Sequence, residues 1–328
     1  MASGVVRAIR RPPCGPCSPL FAVPSGPSVP SGLSVTSVTS VASVVSVLSV
    51  GAVWCRVSGC HGASVLTGRS GGSLMPNIIF ANTKGGSGKT TAALTLTSEL
   101  LAAGAHVALL EGDPNRPLAR WAERRGAPVI DGPKTRVGSA ADAAVAIREA
   151  AGDSKLLVIT TDNDDEAVLD WLQAAQGWGT FVIADPEGSP NQWLAQVISQ
   201  AHLVLVPFAP TTLDANQVAR TIRQINQTER ISSKAIPHRI VITRANPGAV
   251  MTRDERDIRK SLLENALPLM DVSLADRPAF RGMFKHDALL SELTPDQVGG
   301  LPQARSNAAA FAEEIIEILR QPAAQKAA

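Results

Sequence analysis

The sequence predicts a doubly wound α/β fold, in which a mostly parallel sheet carries helices on both faces. From Met75 onward, short unbroken apolar runs alternate with segments of helical pattern. Unbroken runs are typical of parallel strands that are buried on both faces, whereas half-exposed strands alternate apolar and polar residues. A glycine-rich loop, residues 84–91, lies between the first apolar run and the first helical segment and fits the same architecture.

The apolar runs and helical patterns give the predicted elements in chain order. The predicted strands are Ile78–Ala81, His106–Leu110, Leu156–Thr160, Thr180–Ala184, Leu203–Val206, Arg239–Thr243 and, as a candidate last strand, Leu267–Val272. The predicted helical segments are Ala92–Gly104, Arg116–Arg125, Ala140–Ala150, Glu166–Ala175, Asn191–Gln200, Leu213–Asn226, Thr252–Asn265 and Ala308–Arg320. Ligands of such sheets bind beyond the carboxyl ends of the strands, so polar residues that follow strands should converge there.

Residues 1–74 differ in composition from the rest of the chain. They contain five arginines and no acidic residue, so residues 75–328 hold 26 basic and 29 acidic side chains, a formal charge of −3. Residues 33–50 repeat in threes (LSV, TSV, TSV, ASV, VSV, LSV), which fits neither a helix face nor an alternating strand. The segment loosely resembles an organelle transit peptide, and no stretch is apolar for long enough to span a membrane. The remainder is not a broadly basic nucleic-acid binder, although a local patch is compatible with its charge.

All four cysteines lie in this first segment, at Cys14, Cys17, Cys55 and Cys60. Cys14-Gly-Pro-Cys17 has the spacing of a dithiol redox site, and the two cysteine pairs with His61 have the elements of a zinc site. Either site needs a surrounding core that this composition does not predict. The absence of cysteine after Met75 fits a reducing cytoplasm and argues against an iron–sulfur cluster in residues 75–328. We therefore expect a cytoplasmic protein.

The glycine-rich loop has the features of a phosphate-binding loop. Its glycines let successive backbone N–H groups point at one anion, and the N-terminus of the following helix adds partial positive charge. Lys89 is placed to contact the β- and γ-phosphates of a nucleotide, and the Thr90 hydroxyl to ligate Mg²⁺. The usual pattern has a glycine at the position of Thr83, and here a second lysine, Lys84, follows it. The residues assigned to phosphate binding are Gly85, Gly86, Ser87, Gly88, Lys89, Thr90 and Thr91.

With Lys84, the loop resembles the deviant phosphate-binding loop of the ParA/MinD family of ATPases. In that family the extra lysine reaches across a nucleotide-sandwich dimer to the partner's ATP. The resemblance implies that ATP and Mg²⁺ are the cofactors, that the chain forms an ATP-dependent homodimer, and that Lys84 and Lys89 are catalytic. ParA-like proteins commonly begin just before the first strand, so we expect Met75 to be the natural start. Residues 1–74 are then a disordered tail or an over-extended gene start.

Two aspartates follow predicted strands and fit the metal and hydrolysis roles of such a site. Asp185 follows Phe181–Ala184, and we expect it to bind Mg²⁺ through water; the alternative is a helix cap. Asp113-Pro-Asn resembles the Asp-Pro-Gln element of ParA, whose aspartate positions the hydrolytic water. Glu111 stands where the family commonly has another aspartate. Glu187 departs from the family's second aspartate element and would repel a triphosphate unless it points away.

Three further stretches resemble the family. Residues 204–215 are similar to its strand, loop and helix after the metal site, and residues 240–244 to its strand ending near the adenine. The resemblance makes Arg244 and Asn246 candidate base contacts, with a surface arginine and a turn asparagine as the alternatives. Residues 113–121 are similar to ParA-like proteins of conjugative and T-DNA transfer systems. The alternative there is a helix start with proline in its first turn and Trp121 packed onto the sheet.

The last predicted helix argues against a membrane-binding role of the MinD kind. Its apolar residues are accompanied by Glu313, Glu314 and Glu317, which anionic lipid would repel. We expect the helix to pack on the body of the protein. A DNA-binding patch or a plain solvated face could be formed by the following basic residues, which are interspersed with acids: Arg220, Arg223, Arg239, Arg244, Arg253, Arg256, Arg259 and Lys260.

The sequence therefore predicts a ParA-like ATPase that hydrolyses ATP slowly and acts as a dimerising switch. Its expected partners are a second copy, nonspecific DNA or a protein that stimulates hydrolysis, and its expected role is to position a plasmid or a DNA-transfer complex. Two alternatives remain: a metabolic ligase of the dethiobiotin synthetase kind, and a scaffold that binds ATP without hydrolysing it.

Overall fold

The computed structural model describes residues 75–321, except for 163–166, 190, 211 and 249–250. The expectations for residues 1–74, including the four cysteines, lie outside the described residues. The strands are β1 (Asn77–Phe80), β2 (Val107–Gly112), β3 (Val129–Asp131), β4 (Leu156–Thr160), β5 (Phe181–Pro186), β6 (Leu203–Phe208) and β7 (His238–Ile242). The helices are α1 (Lys89–Ala102), α2 (Pro117–Arg124), α3 (Ala140–Ala151), α4 (Val168–Trp178), α5 (Gln192–Ser199), α6 (Thr212–Ser232), α7 (Arg253–Glu264), α8 (Pro278–Lys285) and α9 (Leu301–Arg320).

The described strands form one parallel sheet in the order β3-β4-β2-β5-β1-β6-β7. Strand β1 lies between β5 and β6, so the loop that follows β1 is at the centre of the carboxyl edge. Strands β1, β2, β4 and β6 are buried along their whole length, which explains their unbroken apolar runs. The prediction of a doubly wound α/β fold is confirmed.

Two apolar cores cover the two faces of the sheet. One core joins the sheet to α1, α2, α8 and α9, and the other joins it to α3 through α7. The last helix packs its apolar side, including Phe311 and Ile315, into the first core, as the sequence predicted. Among the helices that the structure describes, none is long and apolar enough to cross a membrane.

Five elements differ from the prediction, one of which is α6, since it ends at Ser232 rather than Asn226. Strand β3 was missed because it has three residues within a Gly/Pro-rich stretch, and α8 was missed altogether. The candidate strand Leu267–Val272 was wrong, since only an isolated bridge joins Leu269 to Ile240. The N–H groups of Asp271 and Val272 donate instead to the Glu314 carboxylate. Helix α9 begins at Leu301 rather than Ala308, after a glycine of positive φ and with proline in its first turn.

Candidate nucleotide site at the carboxyl edge

The glycine-rich loop runs from the end of β1 to the start of α1. Asn82 fixes its entry, because its Oδ1 accepts from Lys84 N at 3.0 Å and its Nδ2 donates to Pro207 O at 2.6 Å. Gly86 and Gly88 have φ of 77° and 86°, which glycine adopts without strain. Gly88 is the N-cap of α1, so the positive end of this 14-residue helix faces the loop. Left-handed glycines at the start of a helix are compatible with the predicted phosphate-binding loop, and anion binding stays a prediction.

Two other strand ends hold the loop from either side. Beyond β7, the Thr243 hydroxyl donates to Ser87 O at 2.8 Å, and a Cβ at Gly88 would lie 3.1 Å from Thr243. Beyond β5, a Cβ at Gly188 would lie 2.9 Å from Gly85 N. The second contact is with backbone, which cannot move aside, so glycine is required at position 188. The loop is thereby clamped between the residues that follow β5 and β7.

Lys89 and Asp185 are both buried behind the loop, and each influences the other electrostatically. They are 8% and 1% exposed. Burial lowers the pKa of Lys89, and Asp185, Asp113 and Glu187 oppose this effect. Burial raises the pKa of Asp185 to about 6, although the Thr90 hydroxyl and Lys89 lower it. Lys89 begins α1 after β1, Asp113 follows β2, and Asp185 lies near the end of β5. These three strands are neighbours in the sheet, so the three residues lie at one edge.

The residues around Asp185 fit a magnesium site. The Thr90 hydroxyl is close enough to affect the carboxyl, yet no hydrogen bond of ordinary geometry reaches either Asp185 oxygen or Ser87 Oγ within the part of the chain described. Buried oxygens in this condition suit a hydrated cation, whose waters supply donors. Within the described part of the chain, no group of three or more His, Cys, Asp or Glu side chains is placed to hold a metal ion. A magnesium ion here would therefore depend on Thr90, Asp185, water and phosphate oxygens.

Asp113 follows β2 directly and is held by its own turn. Its Oδ1 accepts from Asn115 N at 2.8 Å and from Asn115 Nδ2 at 3.1 Å. Its carbonyl oxygen accepts from Arg116 N at 2.8 Å, closing a tight turn. The half-buried carboxyl thus has a fixed orientation at the same edge as Lys89. Its assignment to the hydrolytic water stays a prediction.

Glu111 makes contacts with the start of α2 that the sequence did not predict. It is fully buried at the end of β2, and its Oε1 and Oε2 accept from Leu118 N and Ala119 N at 2.6 and 2.9 Å. Burial raises the pKa of Glu111 to about 8, against the two backbone hydrogen bonds. In the sequence, Glu111 directly follows the predicted strand, two positions before Asp113, and stands where the family commonly has an aspartate.

Lys84 and Glu187 are charged residues beside the loop whose roles also stay predictions. Both are half-buried. Glu187 Oε2 accepts from Ser189 Oγ at 2.9 Å, and its charge opposes the lowering of the Lys89 pKa. Glu187 is therefore part of the electrostatic environment of the loop.

The candidate base contacts lie beyond the end of β7. Arg244 is exposed with φ of 52°, directly after the threonine that contacts the loop, and Asn246 Oδ1 accepts from Gly248 N. A pocket of about 410 Å³ opens next to them; its polar lining includes Asn246, Arg277, Gln303, Ser306 and Asn307. Asn246 lines this pocket and Arg244 does not, and the assignment of both residues to the base remains a prediction.

Comparison with known proteins gives a family match and relatives that are 24 to 31% identical. The family model described as VirC1 protein matches residues 75–318. A protein from Rhizobium radiobacter named ParA is 31% identical over 247 residues, which are 75% of this chain and 99% of that protein.

Solved structures share the fold at lower identity. A complex of McdA from Cyanothece with ATP has a TM-score of 0.57 and 20% identity, covering 74% of this chain and 97% of that one. Cobyrinic acid a,c-diamide synthase from Mycobacterium smegmatis has a TM-score of 0.53 and 17% identity, covering 75% and 95%. One is an ATP complex and the other is a synthase, so the shared fold does not by itself choose between a switch and a metabolic enzyme.

Proposed function

Because the chain belongs to the VirC1 family of ParA-like proteins, we propose that it is an ATP-dependent dimerising ATPase that positions DNA or a DNA-transfer complex. ParA/MinD-type proteins are ATPases, and the match to VirC1 agrees with the resemblance of residues 113–121 to transfer proteins. The observation that carries the proposal is the convergence of a two-lysine loop with Asp113 and Asp185 at one edge of the sheet.

Each part of this edge has a role in ATP hydrolysis. The loop amides and Lys89 bind the phosphates, and burial of Lys89 strengthens its interaction with them. Thr90 and Asp185 would hold Mg²⁺, and the bound ion would neutralise charge on the phosphates. Asp113 orients the attacking water from the rim of the site, where it is half-buried. The pocket beside Asn246 takes the base.

Dimerisation is the finer part of the proposal and rests on Lys84. The loop presents this half-buried lysine at its entry, with its backbone N–H fixed by Asn82. A second copy facing the site receives Lys84 on its own ATP phosphates, so the dimer lasts as long as the triphosphate. Hydrolysis then ends the dimer and acts as a timer.

Two other functions predict different behaviour. A metabolic ligase needs a second substrate for turnover and gives Lys84 no role toward a partner. A non-hydrolysing scaffold keeps its dimer but loses nothing when Asp113 is replaced. The family match favours the switch, because the ligase alternative is supported by fold alone.

DNA binding by the ATP-bound form is the experiment that tests the positioning role. We expect the full chain to co-sediment with nonspecific duplex DNA with ATP and Mg²⁺, to release it with ADP, and to weaken steeply as salt rises. The double variant Arg253→Ala, Arg256→Ala should lose binding, because both residues are exposed on α7. Arg259 is not substituted, since it pairs with Glu255 and contacts Ser273.

Arg148→Ala is the matched control, because Arg148 is equally exposed but lies on α3. It should bind DNA like the unmodified chain. DNA binding that is indifferent to nucleotide, or absent in every state, would contradict the positioning role.

A further inference from the structure

The start of α2 is capped from outside the helix. The N-cap residues of helices α3, α5 and α7 are Ser139, Asn191 and Thr252. The side chain of each accepts a hydrogen bond from a backbone N–H of the first turn. Helix α2 instead begins after Arg116, which has φ of 50° and makes no side-chain cap bond. The acceptor comes from β2, where the buried Glu111 carboxyl takes the N–H groups of the second and third helical residues.

The Glu111 contact closes a short loop of the chain that contains Asp113, residues 112–117, which we call the cage. The segment between the two ends of the contact, residues 112–117, contains the candidate hydrolytic residue and its turn. The cage is anchored at one end by the sheet, through Glu111, and at the other by the first turn of α2, which the same side chain holds. Moving the start of α2 therefore moves Asp113.

The opposite face of the cage rests on Trp193. A Cβ at Gly112 would lie 2.9 Å from the Trp193 ring. The Trp193 Nε1 donates to Thr161 Oγ1 at 2.8 Å, and Thr161 N donates to the backbone oxygen of Glu111 at 2.9 Å. The backbone of Glu111 is thereby fixed, and its side chain points toward α2.

Glu111 also lies beside the metal-side carboxyl. Glu111 and Asp185 are register partners on β2 and β5, and both are buried. In neighbouring parallel strands, register partners project on the same face of the sheet. The cage that holds Asp113 is therefore built directly against the residue expected to hold the metal's waters.

We propose that Glu111 is a positioning residue, which sets the place of Asp113 by capping α2 and does not itself touch the nucleotide. The inference rests on the proposed function, since it gives Glu111 a role in ATP hydrolysis. Loss of the cap releases the cage and misplaces Asp113, while the phosphate-binding loop, which is built by other contacts, stays intact.

The test measures kcat and KM for ATP in Glu111→Ala and Glu111→Gln of the full chain. We expect Glu111→Ala to lower kcat about tenfold or more, with KM within about twofold of the unmodified value, because small misplacements of a positioned group are costly. Glu111→Gln keeps the volume but replaces one acceptor oxygen with an N–H₂ group. The kcat of Glu111→Gln should lie between those of the unmodified chain and Glu111→Ala.

Ser139→Ala is the matched control, because it removes the N-cap acceptor of α3 away from the candidate site. It should lower the melting temperature as Glu111→Ala does and leave kcat unchanged. Unmodified kcat in both Glu111 variants would overturn the proposal. If Glu111→Ala does not fold, Glu111→Gln decides in the same way.

Amide hydrogen exchange separates failure of this inference from failure of the proposed function. We expect residues 112–119 to exchange faster in Glu111→Gln, with α3 unchanged. An unmodified chain that hydrolyses no ATP removes the proposed function, and the exchange rates then still decide whether Glu111 holds the cage. Unchanged exchange in residues 112–119 would show that it does not.

Discussion

Replacing Asp113 with alanine should lower kcat for ATP hydrolysis by about 100-fold or more, the usual effect of removing a group that orients or deprotonates the attacking nucleophile. ATP affinity should stay near its unmodified value or rise slightly, because the carboxylate at the rim of the site repels the triphosphate. Single-turnover release of phosphate and titration with a fluorescent ATP analogue measure the two quantities separately.

The control for this variant is Asp153→Ala, which removes an exposed aspartate outside the candidate site. It should hydrolyse ATP at the unmodified rate. Hydrolysis by Asp113→Ala at the unmodified rate would exclude Asp113 from the reaction. An unmodified chain that binds ATP without hydrolysing it would instead favour the scaffold.

Replacing Lys89 with alanine should weaken ATP binding by about 100-fold, or close to 3 kcal/mol, since a buried charge-assisted contact is lost and its partners are left unpaired. Lys89 offsets the charges of Asp185, Asp113 and Glu187, all of which influence its pKa. Without the lysine, these carboxyls face the triphosphate with no compensating cation beside them. Calorimetric titration with ATP and Mg²⁺ measures the change.

Lys155→Ala is the control for the lysine variant, because Lys155 is exposed just before β4, at the opposite edge of the sheet. Its ATP affinity should be that of the unmodified chain. Tight ATP binding by Lys89→Ala would mean that the nucleotide does not use this loop, and the site assigned here would be wrong.

The strand ends could be predicted from the sequence, and the contacts between them could not. The sequence predicts Asp113 and Asp185 because they come after apolar runs, and Lys89 because it lies in the glycine-rich loop after the first run. A parallel sheet brings such positions to one edge. The contact of Gly188 with Gly85 is different, because it depends on the path of two loops that are far apart in the sequence.

Glu111 shows the same limit at shorter range. The resemblance places it where the family commonly has another aspartate, but its side chain caps a helix that begins six residues later. The cap is needed because Arg116, the N-cap residue of α2, is left-handed and its side chain provides no acceptor for the helix. No residue pattern in the sequence predicts that backbone conformation. Strand β3 and the irregular path of residues 267–272 were likewise set by tertiary partners rather than by local propensity.

The mass of the full chain in solution, with ATP and Mg²⁺, with ADP, and without nucleotide, tests the proposed switch most directly. We expect a dimer only with ATP and Mg²⁺, and a monomer with ADP or without nucleotide. The dimer should be lost in Lys84→Ala but not in Lys155→Ala. A monomer in all three states, or a dimer that ignores the nucleotide, would contradict the switch and favour the metabolic ligase.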